Sequence, residues 1–457
     1  MSREMMEQRE QSNACINSAE SRKNKSEAQM RHSGIDWIGE IPKEWEVVRL
    51  KNLGEFQNGL TYSPIDMCDE NGVLVIRSSN IKDSKLVFDD NVFVNDAPSS
   101  LMVQKGDIII CSRNGSADLV GKCAMVENNL NASFGAFMVR FRSVIDNYFS
   151  FYLIQTAIPQ YKVLFTTTTI NQLTKSMLST MIGVLPSISE QQKIANYLDK
   201  VCGEVDEMIA LQEQMIEELK AYKQSVITEA VTKGLNPNVP MKDSGIDWIG
   251  EVPVHWEICR IKNIASLYGR IGFRGYTSDD LNKDGEGAIA LSPSNMTPMG
   301  MDYSKVTYLS WRKYEESPEI MIQNDDLLMV KTGSSYGKVS YVDKLPREST
   351  INPQILRVVP SVNSKFLGYY MQTNLFIYQV EGGVVGGTIP TISQEKINNF
   401  YVILPNDAEQ LSIASYLDTK CAEIDDLIAI KQSKIEELKE YKKSVIYEYV
   451  TGKKEVV

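Results

Sequence analysis

The sequence predicts an α+β chain built as a pseudo-twofold internal repeat, in which two globular bodies alternate with two long helices. Three observations predict it. A 48-residue stretch is written twice, a 21-residue lead-in is written twice, and the segments between them are short β-branched runs separated by Asn, Gly, Ser and Pro clusters.

The helical stretch runs over 185–232 and returns over 404–451, identical at 27 of 48 positions and at a constant offset of 219. In the first copy Ile194, Leu198, Val201, Val205, Met208, Gln212, Met215, Leu219, Tyr222 and Val226 alternate spacings of four and three, the pattern of a coiled-coil seam. The second copy keeps Ile413, Leu417, Ile424, Leu427, Leu438, Tyr441 and Val445 but sets Lys420, Lys431 and Lys434 on that seam, so Ile428 and Ile435 are expected to share the contact. A helix over 189–230, or over 408–449, would be roughly 60 Å long. Such a rod separates things.

The lead-in SGIDWIGEIPKEWEVVRLKNL (33–53) returns as SGIDWIGEVPVHWEICRIKNI (244–264), with 14 of 21 positions identical. Trp37 and Trp248, Pro42 and Pro253, and Trp45 and Trp256 are read as an aromatic turn that packs and leads into a strand. The bodies, about 54–184 and 265–403, look unlike each other over most of their length. Faint echoes remain: KGDIII at 105–110 against NDDLLM at 324–329, VGK at 120–122 against YGK at 336–338, and TINQL at 169–173 against TIPTI at 388–392. Helices are expected near Tyr148 and near Lys365, making each body one α+β domain. Gln29-Met-Arg-His resembles Pro240-Met-Lys-Asp, so the chain reads as circular, with residues before the first lead-in lying beside the end of the second helix.

The domain reading is therefore a polar extension at 1–30, a first body with its lead-in at 31–184, a first helix at 185–232, a linker at 233–243, a second body at 244–403, a second helix at 404–452 and a tail at 453–457. Seven cysteines show no CxxC spacing and are expected to be reduced thiols, and two histidines leave little room for His-based metal or triad chemistry. Neither an 18-residue apolar run nor a signal-peptide core is present, so a cytoplasmic, non-membrane protein is expected. The net charge of −11 argues against a nucleic-acid binder, but −5 of it falls in 189–230 and −3 in 408–449, leaving the bodies nearly neutral.

The doubled SGIDWIGE-P-W lead-in, the two unlike bodies and the two EQ-I-YLD…IEELK-YK-SVI helices resemble the specificity subunits of Type I restriction-modification systems over about residues 30–452. The resemblance implies two target-recognition domains held apart by two antiparallel coiled-coil helices, each domain reading one half of a bipartite site in double-stranded DNA. It implies that the helices dock two methyltransferase subunits, to which restriction subunits add. This chain would then be non-catalytic and need no cofactor, its partners using S-adenosylmethionine, ATP and Mg. The seam residues Ile194, Leu198, Val205, Leu219, Tyr222, Ile413, Leu417, Ile424, Leu438 and Tyr441 would serve the coiled coil and the docking.

Base edges are read by Arg, Asn and Gln, and phosphates by Lys, Arg, Ser, Thr and backbone N–H groups. Turn-like loops supply such groups. In the first body they are Arg77, Ser78, Ser79, Asn80, Lys82, Arg113, Asn114, Thr167, Thr168 and Asn171. In the second they are Arg270, Arg274, Ser294, Asn295, Lys331, Thr332, Ser334, Ser335, Tyr336, Lys338 and Thr388. Catalytic motifs fail on inspection: Lys331–Lys338 lacks phosphate-loop spacing, Asn352-Pro-Gln-Ile departs from an adenine methyltransferase loop, and Asp325 and Asp326 have no Glu-x-Lys partner. Two rivals stand beside the recognition reading. One is a coiled-coil scaffold without DNA specificity, the other a specificity subunit of a methylation-only system.

Overall fold

A computed structural model describes residues 30–456 apart from 163–170, 271, 273–274, 284, 299 and 385–388. The chain divides into two compact units, 1–211 with 434–457 and 212–433, so each long helix contributes one half to each unit. The helices span Ile188–Lys233 and Asp407–Val450, a few residues beyond the limits read from the pattern. Ser187 caps the first, accepting from the N–H of Glu190 while Glu190 accepts from its N–H and hydroxyl; at the second, Asn406 Oδ1 accepts from the N–H of Glu409 and its side-chain amide donates to the Glu409 carboxylate.

The first body holds β1 (Gly54–Asn58), β2 (Met67–Cys68), β3 (Val73–Ile76), β4 (Phe93–Val94), β5 (Ile108–Cys111), β6 (Cys123–Met125), β7 (Ala132–Phe134) and β8 (Met138–Ser143). They form two four-stranded sheets in the orders β6-β5-β8-β1 and β7-β3-β4-β2, with β7 and β3 parallel. The second body holds β9 (Ala265–Gly269), β10 (Leu281–Asn282), β11 (Ala288–Leu291), β12 (Thr307–Leu309), β13 (Leu327–Val330), β14 (Val339–Tyr341), β15 (Ser349–Ile351) and β16 (Ile355–Pro360). Its sheets run β14-β13-β16-β9 and β15-β11-β12-β10, again with one parallel pair, β15 and β11. The two bodies that looked unlike in sequence thus share one topology, strand for strand. The expected helices appear as Asn147–Gln160 and Ser364–Tyr370, capped by Asp146 and Asn363.

The echo KGDIII and NDDLLM has a physical cause. Asp107 and Asp326 are buried, and each accepts the N–H three residues back, from Gln104 and Gln323. Asp107 is gripped by Arg142 through two bonds of 2.7 Å, and Asp326 by Arg357 at 2.6 and 3.3 Å. Removing one member of such a pair strands a buried charge at a cost of about 3–5 kcal/mol. Asp326→Ala is therefore expected to lower the melting temperature of its domain by on the order of 10 °C, and a second change, Arg357→Met, to restore most of it; thermal denaturation of the single and double variants checks both.

Each body hangs from a two-stranded clasp. In the first, Glu46–Arg49 pairs antiparallel with Ile182–Leu185; in the second, Glu257–Arg260 pairs with Tyr401–Leu404. Residues 49 and 182 are direct neighbours, as are 260 and 401, so a body's chain leaves and returns at one place.

The expected circular closure is present within each unit. Met30–His32 pairs with Glu40–Pro42, and Met241–Asp243 with Glu251–Pro253. Arg31 donates to the Trp45 carbonyl at 2.6 Å, and Lys242 to the Trp256 carbonyl at 2.8 Å. In the first unit Tyr447 and Lys453, at the end of the second helix, donate to the carbonyls of Trp37 and Ile38. In the second, Ala230 and Val231 share a core with Val252 and Trp256. Gly452 (φ +70°) and Gly234 (φ +81°) turn the chain in the left-handed region directly over Trp45 and Trp256; a Cβ on Gly452 would lie 2.5 Å from the Pro42 ring.

The helix seam differs from the one read in the sequence. Leu198, Val205, Leu219, Leu417, Ile424 and Leu438 do lie on the inner face, Ile194 and Ile413 are buried, and Ile435 shares the contact as expected; beyond Ile194 and Ile413, however, the alternate column is one residue later, with Cys202, Ile216 and Cys421 buried and Met208, Tyr222, Leu427 and Tyr441 about half exposed. Lys420 and Lys434 consequently face outward and pair with Glu423 and Glu437 along their own helix. Neighbouring residues on a helix are about 100° apart, and the contact face here is wide enough to accept either column by pattern alone. Within the first unit the helix segments run antiparallel, since Tyr197 meets Tyr449 and Asp206 meets Lys442 at 2.6 Å. In the second unit Lys223 meets Asp425 at 2.6 Å, the same pair with the helices exchanged. Partly exposed ion pairs are worth at most about 1 kcal/mol, so they fix register while the apolar column supplies the stability.

Candidate nucleic-acid interface

In the first body four loops converge where β3 and β5 end and β8 begins. Gly135 N–H donates to the Ile76 carbonyl at 2.9 Å, Ser112 N–H to the Phe137 carbonyl at 2.9 Å, and Leu173 N–H to the Ser112 carbonyl at 2.7 Å. Side chains tie the same loops together. Asn114 donates to Ser78 Oγ at 3.2 Å and Asn171 to the Gly115 carbonyl at 3.3 Å. Arg77, Ser78, Ser79, Arg113, Asn114 and Asn171 are thereby brought to one surface.

The second body repeats this frame bond for bond. Asn352 N–H donates to the Leu291 carbonyl, Lys331 N–H to the Gln354 carbonyl and Ile392 N–H to the Lys331 carbonyl, at 2.8–2.9 Å. The isolated bridge between Arg113 and Gln172 has its counterpart between Thr332 and Thr391. Lys338 reaches the Pro293 carbonyl at 3.4 Å, and Ser292 and Ser294 share a hydroxyl contact of 2.8 Å, so Ser294, Thr332, Ser334, Ser335 and Lys338 also lie on one surface. Burial holds the Lys331 ammonium below the usual lysine value, which weakens it as a phosphate ligand. Tyr336 is half-buried and packs against the core of its unit.

Three of the residues expected from the sequence to read bases hold the frame instead. Asn80 is fully buried; its Oδ1 accepts from Arg77 N–H and its amide donates to the carbonyls of Val87 and Asp90. Asn295 does the same with Ser292, Asp302 and Lys305. Arg270 is 5% exposed, donates to the Ile351 carbonyl and Thr350 Oγ1, and lies over the Tyr276 ring, with burial drawing its pKa down. Arg77 is held by Asp90 at 2.8 Å, and Lys82 forms an exposed pair with Asp89. Thr167, Thr168, Arg274 and Thr388 lie outside the described residues. Asn80→Ala and Asn295→Ala are each expected to cost about 1–3 kcal/mol and to leave sequence preference unchanged, which paired melting and DNA-selection measurements would separate.

Sequence reasoning missed two exposed residues of this surface. Phe137, just before β8, and Gln354, at the same place before β16, stand beside Arg113 and Thr332.

The family model for the Type I restriction modification DNA specificity domain matches residues 42–221 and again 253–440. The chain belongs to this family. Among Type I specificity chains, a 28% identical relative in Methanocaldococcus jannaschii, bearing the name of the MjaX enzyme's specificity subunit, matches over 91% of this chain and 95% of its own length. The EcoKI specificity subunit of Escherichia coli K12 is 25% identical over 70% of this chain and 68% of its own. A solved chain described with the assembly and conformational transition of the type I R-M system has the same fold, with a TM-score of 0.64 and 17% identity over 90% of this chain and 98% of that one. The Type I fold of two recognition domains and two long helices is thus the fold of this chain.

Proposed function

We propose that this chain is the DNA sequence-recognition subunit of a Type I restriction-modification complex. The modules at 31–184 and 244–403 each read one half of a bipartite site. The observation that carries this reading is that the two bodies share a backbone frame while the side chains set on its converging loops differ, Arg113 and Phe137 against Thr332 and Gln354. A fixed frame with exchanged side chains is what two readers of different sequences need.

The helices supply the docking surface. Met208, Leu211 and Tyr441 of the first unit are 52%, 54% and 53% exposed, and their repeat equivalents Leu427, Ile430 and Tyr222 of the second are 47%, 63% and 59% exposed. Two like apolar patches suit two copies of one partner, here two methyltransferase subunits, with restriction subunits joining through them. The chain is non-catalytic in this reading; S-adenosylmethionine, ATP and Mg belong to the partners, one of which takes the target adenine out of the duplex. No helix among the described residues is long and apolar enough to cross a membrane, and the cytoplasm is the compartment this function requires.

Joining two modest readers on one chain raises affinity only for sites whose halves are correctly spaced. The test is selection from random-sequence duplex DNA by the chain with its methyltransferase partner, at several salt concentrations. A bipartite motif with a fixed gap is expected; salt-sensitive binding with no motif, or no binding, would favour a scaffold.

A further inference from the structure

We infer that Arg113 and Phe137 form one base-reading step of the first body, taking a guanine and an adjacent thymine in the major groove, and that Gln354 occupies the same place in the second body and takes an adenine. The inference rests on the reading of this chain as a recognition subunit and goes on to name its readers and their bases.

The first body contains four arginines, and three are committed. Arg77 is held by Asp90, Arg142 by Asp107, and Arg140 donates to the carbonyls of Ser100 and Met102. Arg113 has no hydrogen bond or ion pair from its guanidinium to any described residue; it lies 5.3 Å above the centroid of the Phe137 ring, which is 58% exposed. Both side chains rise from pinned backbone. Arg113 N–H and Ser112 N–H each donate to the Phe137 carbonyl, and Met138 N–H closes a turn onto the Gly135 carbonyl at 2.8 Å. A guanidinium stacked on a ring keeps its outer donors free and gives up little freedom when it binds.

The chemistry of the groove then selects the bases. Guanine presents O6 and N7, two acceptors matched to the arginine fork, and thymine presents the major-groove methyl that an exposed phenyl edge covers. The two side chains are adjacent, so the two bases are adjacent.

At the same frame position the second body has Thr332 and an exposed Gln354. Asn352 orients Gln354, its Nδ2 donating to Gln354 Oε1 at 3.2 Å and its Oδ1 accepting from Gln354 N–H at 3.0 Å. That leaves both amide hydrogens and one lone pair of Oε1 for a partner. Adenine, with an N6 donor and an N7 acceptor, is the base that uses both kinds of group.

The test uses the full chain with its methyltransferase partner in competitive binding to duplexes built on the selected site. The wild type is expected to require a guanine with a neighbouring thymine in one half-site. Arg113→Ala and the charge-preserving Arg113→Lys are expected to relax that guanine about tenfold or more, with the other half-site unchanged. Replacing the thymine by deoxyuridine, which removes only the methyl group, is expected to weaken the wild type about fourfold and to leave Phe137→Ala unaffected. Gln354→Ala is expected to relax one adenine of the other half-site alone. Uniform weakening over all sequences by Arg113→Ala would mean a phosphate contact and overturn the assignment, as would a deoxyuridine effect that persists in Phe137→Ala. A wild type with no bipartite preference would instead overturn the recognition reading itself.

Discussion

Replacing residues 50–181 with the equivalent body of another Type I specificity chain is expected to rewrite one half-site completely and leave the other as it was. The clasp makes this possible: Arg49 and Ile182 are paired neighbours, so the exchanged segment begins and ends at one point on strands that stay in place. The body also rests on the helix below it. Phe149, Leu153 and Ile154 share a core with Ile194 and Leu198, and Tyr152 donates to Asp199 at 2.7 Å. The second unit repeats that contact, Tyr369 donating to Asp418 at 3.0 Å, so a donor body carrying the tyrosine meets the surface it was built for. Mapping methylated adenines in a host that expresses the exchanged chain reads the outcome. A change in both halves would contradict the independence of the bodies.

The second large effect concerns the halves of the chain. Residues 1–243, carrying one body and one long helix, are expected to form a symmetric dimer. In the first unit the body-proximal part of the first helix packs on Lys442, Val445, Ile446 and Val450 of the second. Their equivalents in the first helix are Lys223, Val226, Ile227 and Val231, the same residues in the same order. A second copy can therefore supply what the second helix supplies in the full chain. Asp206 would pair with Lys223 of the other copy, as it pairs with Lys442 here. The loss is at Tyr449, which contacts Tyr197 with centroids 4.4 Å apart and is replaced by Ala230. Light scattering after size-exclusion chromatography should give twice the half-chain mass; a monomer at micromolar concentration would contradict the equivalence of the two helix contacts.

The parts of the fold legible in sequence are those constrained by a partner inside the chain. The lead-ins and helices kept their identities because each must fit the end of the other helix, and the echo of Asp107 in Asp326 survived because each is a buried charge with an arginine to hold. Part of the helix seam lies one residue from its expected place because Val201 and Cys202, or Met215 and Ile216, are similarly apolar in sequence; only the packed neighbour decides which turns inward. The shared topology of the bodies was hidden because a sheet position asks only for an apolar residue of about the right size.

The reading surface was legible as loops but not as residues. Asn80 and Asn295 carry the amides that suggest base readers, yet they occupy the same place in both bodies, four residues past the end of a buried strand. A residue common to two readers of different sequences serves the frame. The run Phe137-Met-Val-Arg-Phe reads as one strand from its composition, but β8 begins at Met138, and that single residue moves the ring from the core to the surface. The Gly135-Ala136 pair before it was the available hint. Gln354 lies within Asn352-Pro-Gln-Ile, a stretch that in sequence resembles only a broken methyltransferase loop.

Whether one chain carries two separate readers on a repeated frame is decided by mapping methylated adenines genome-wide in a host with and without this gene. The motif is expected to disappear with the gene and to consist of two unlike half-sites separated by a gap of fixed length. A motif that is continuous, that varies in spacing, or that persists without the gene would contradict it.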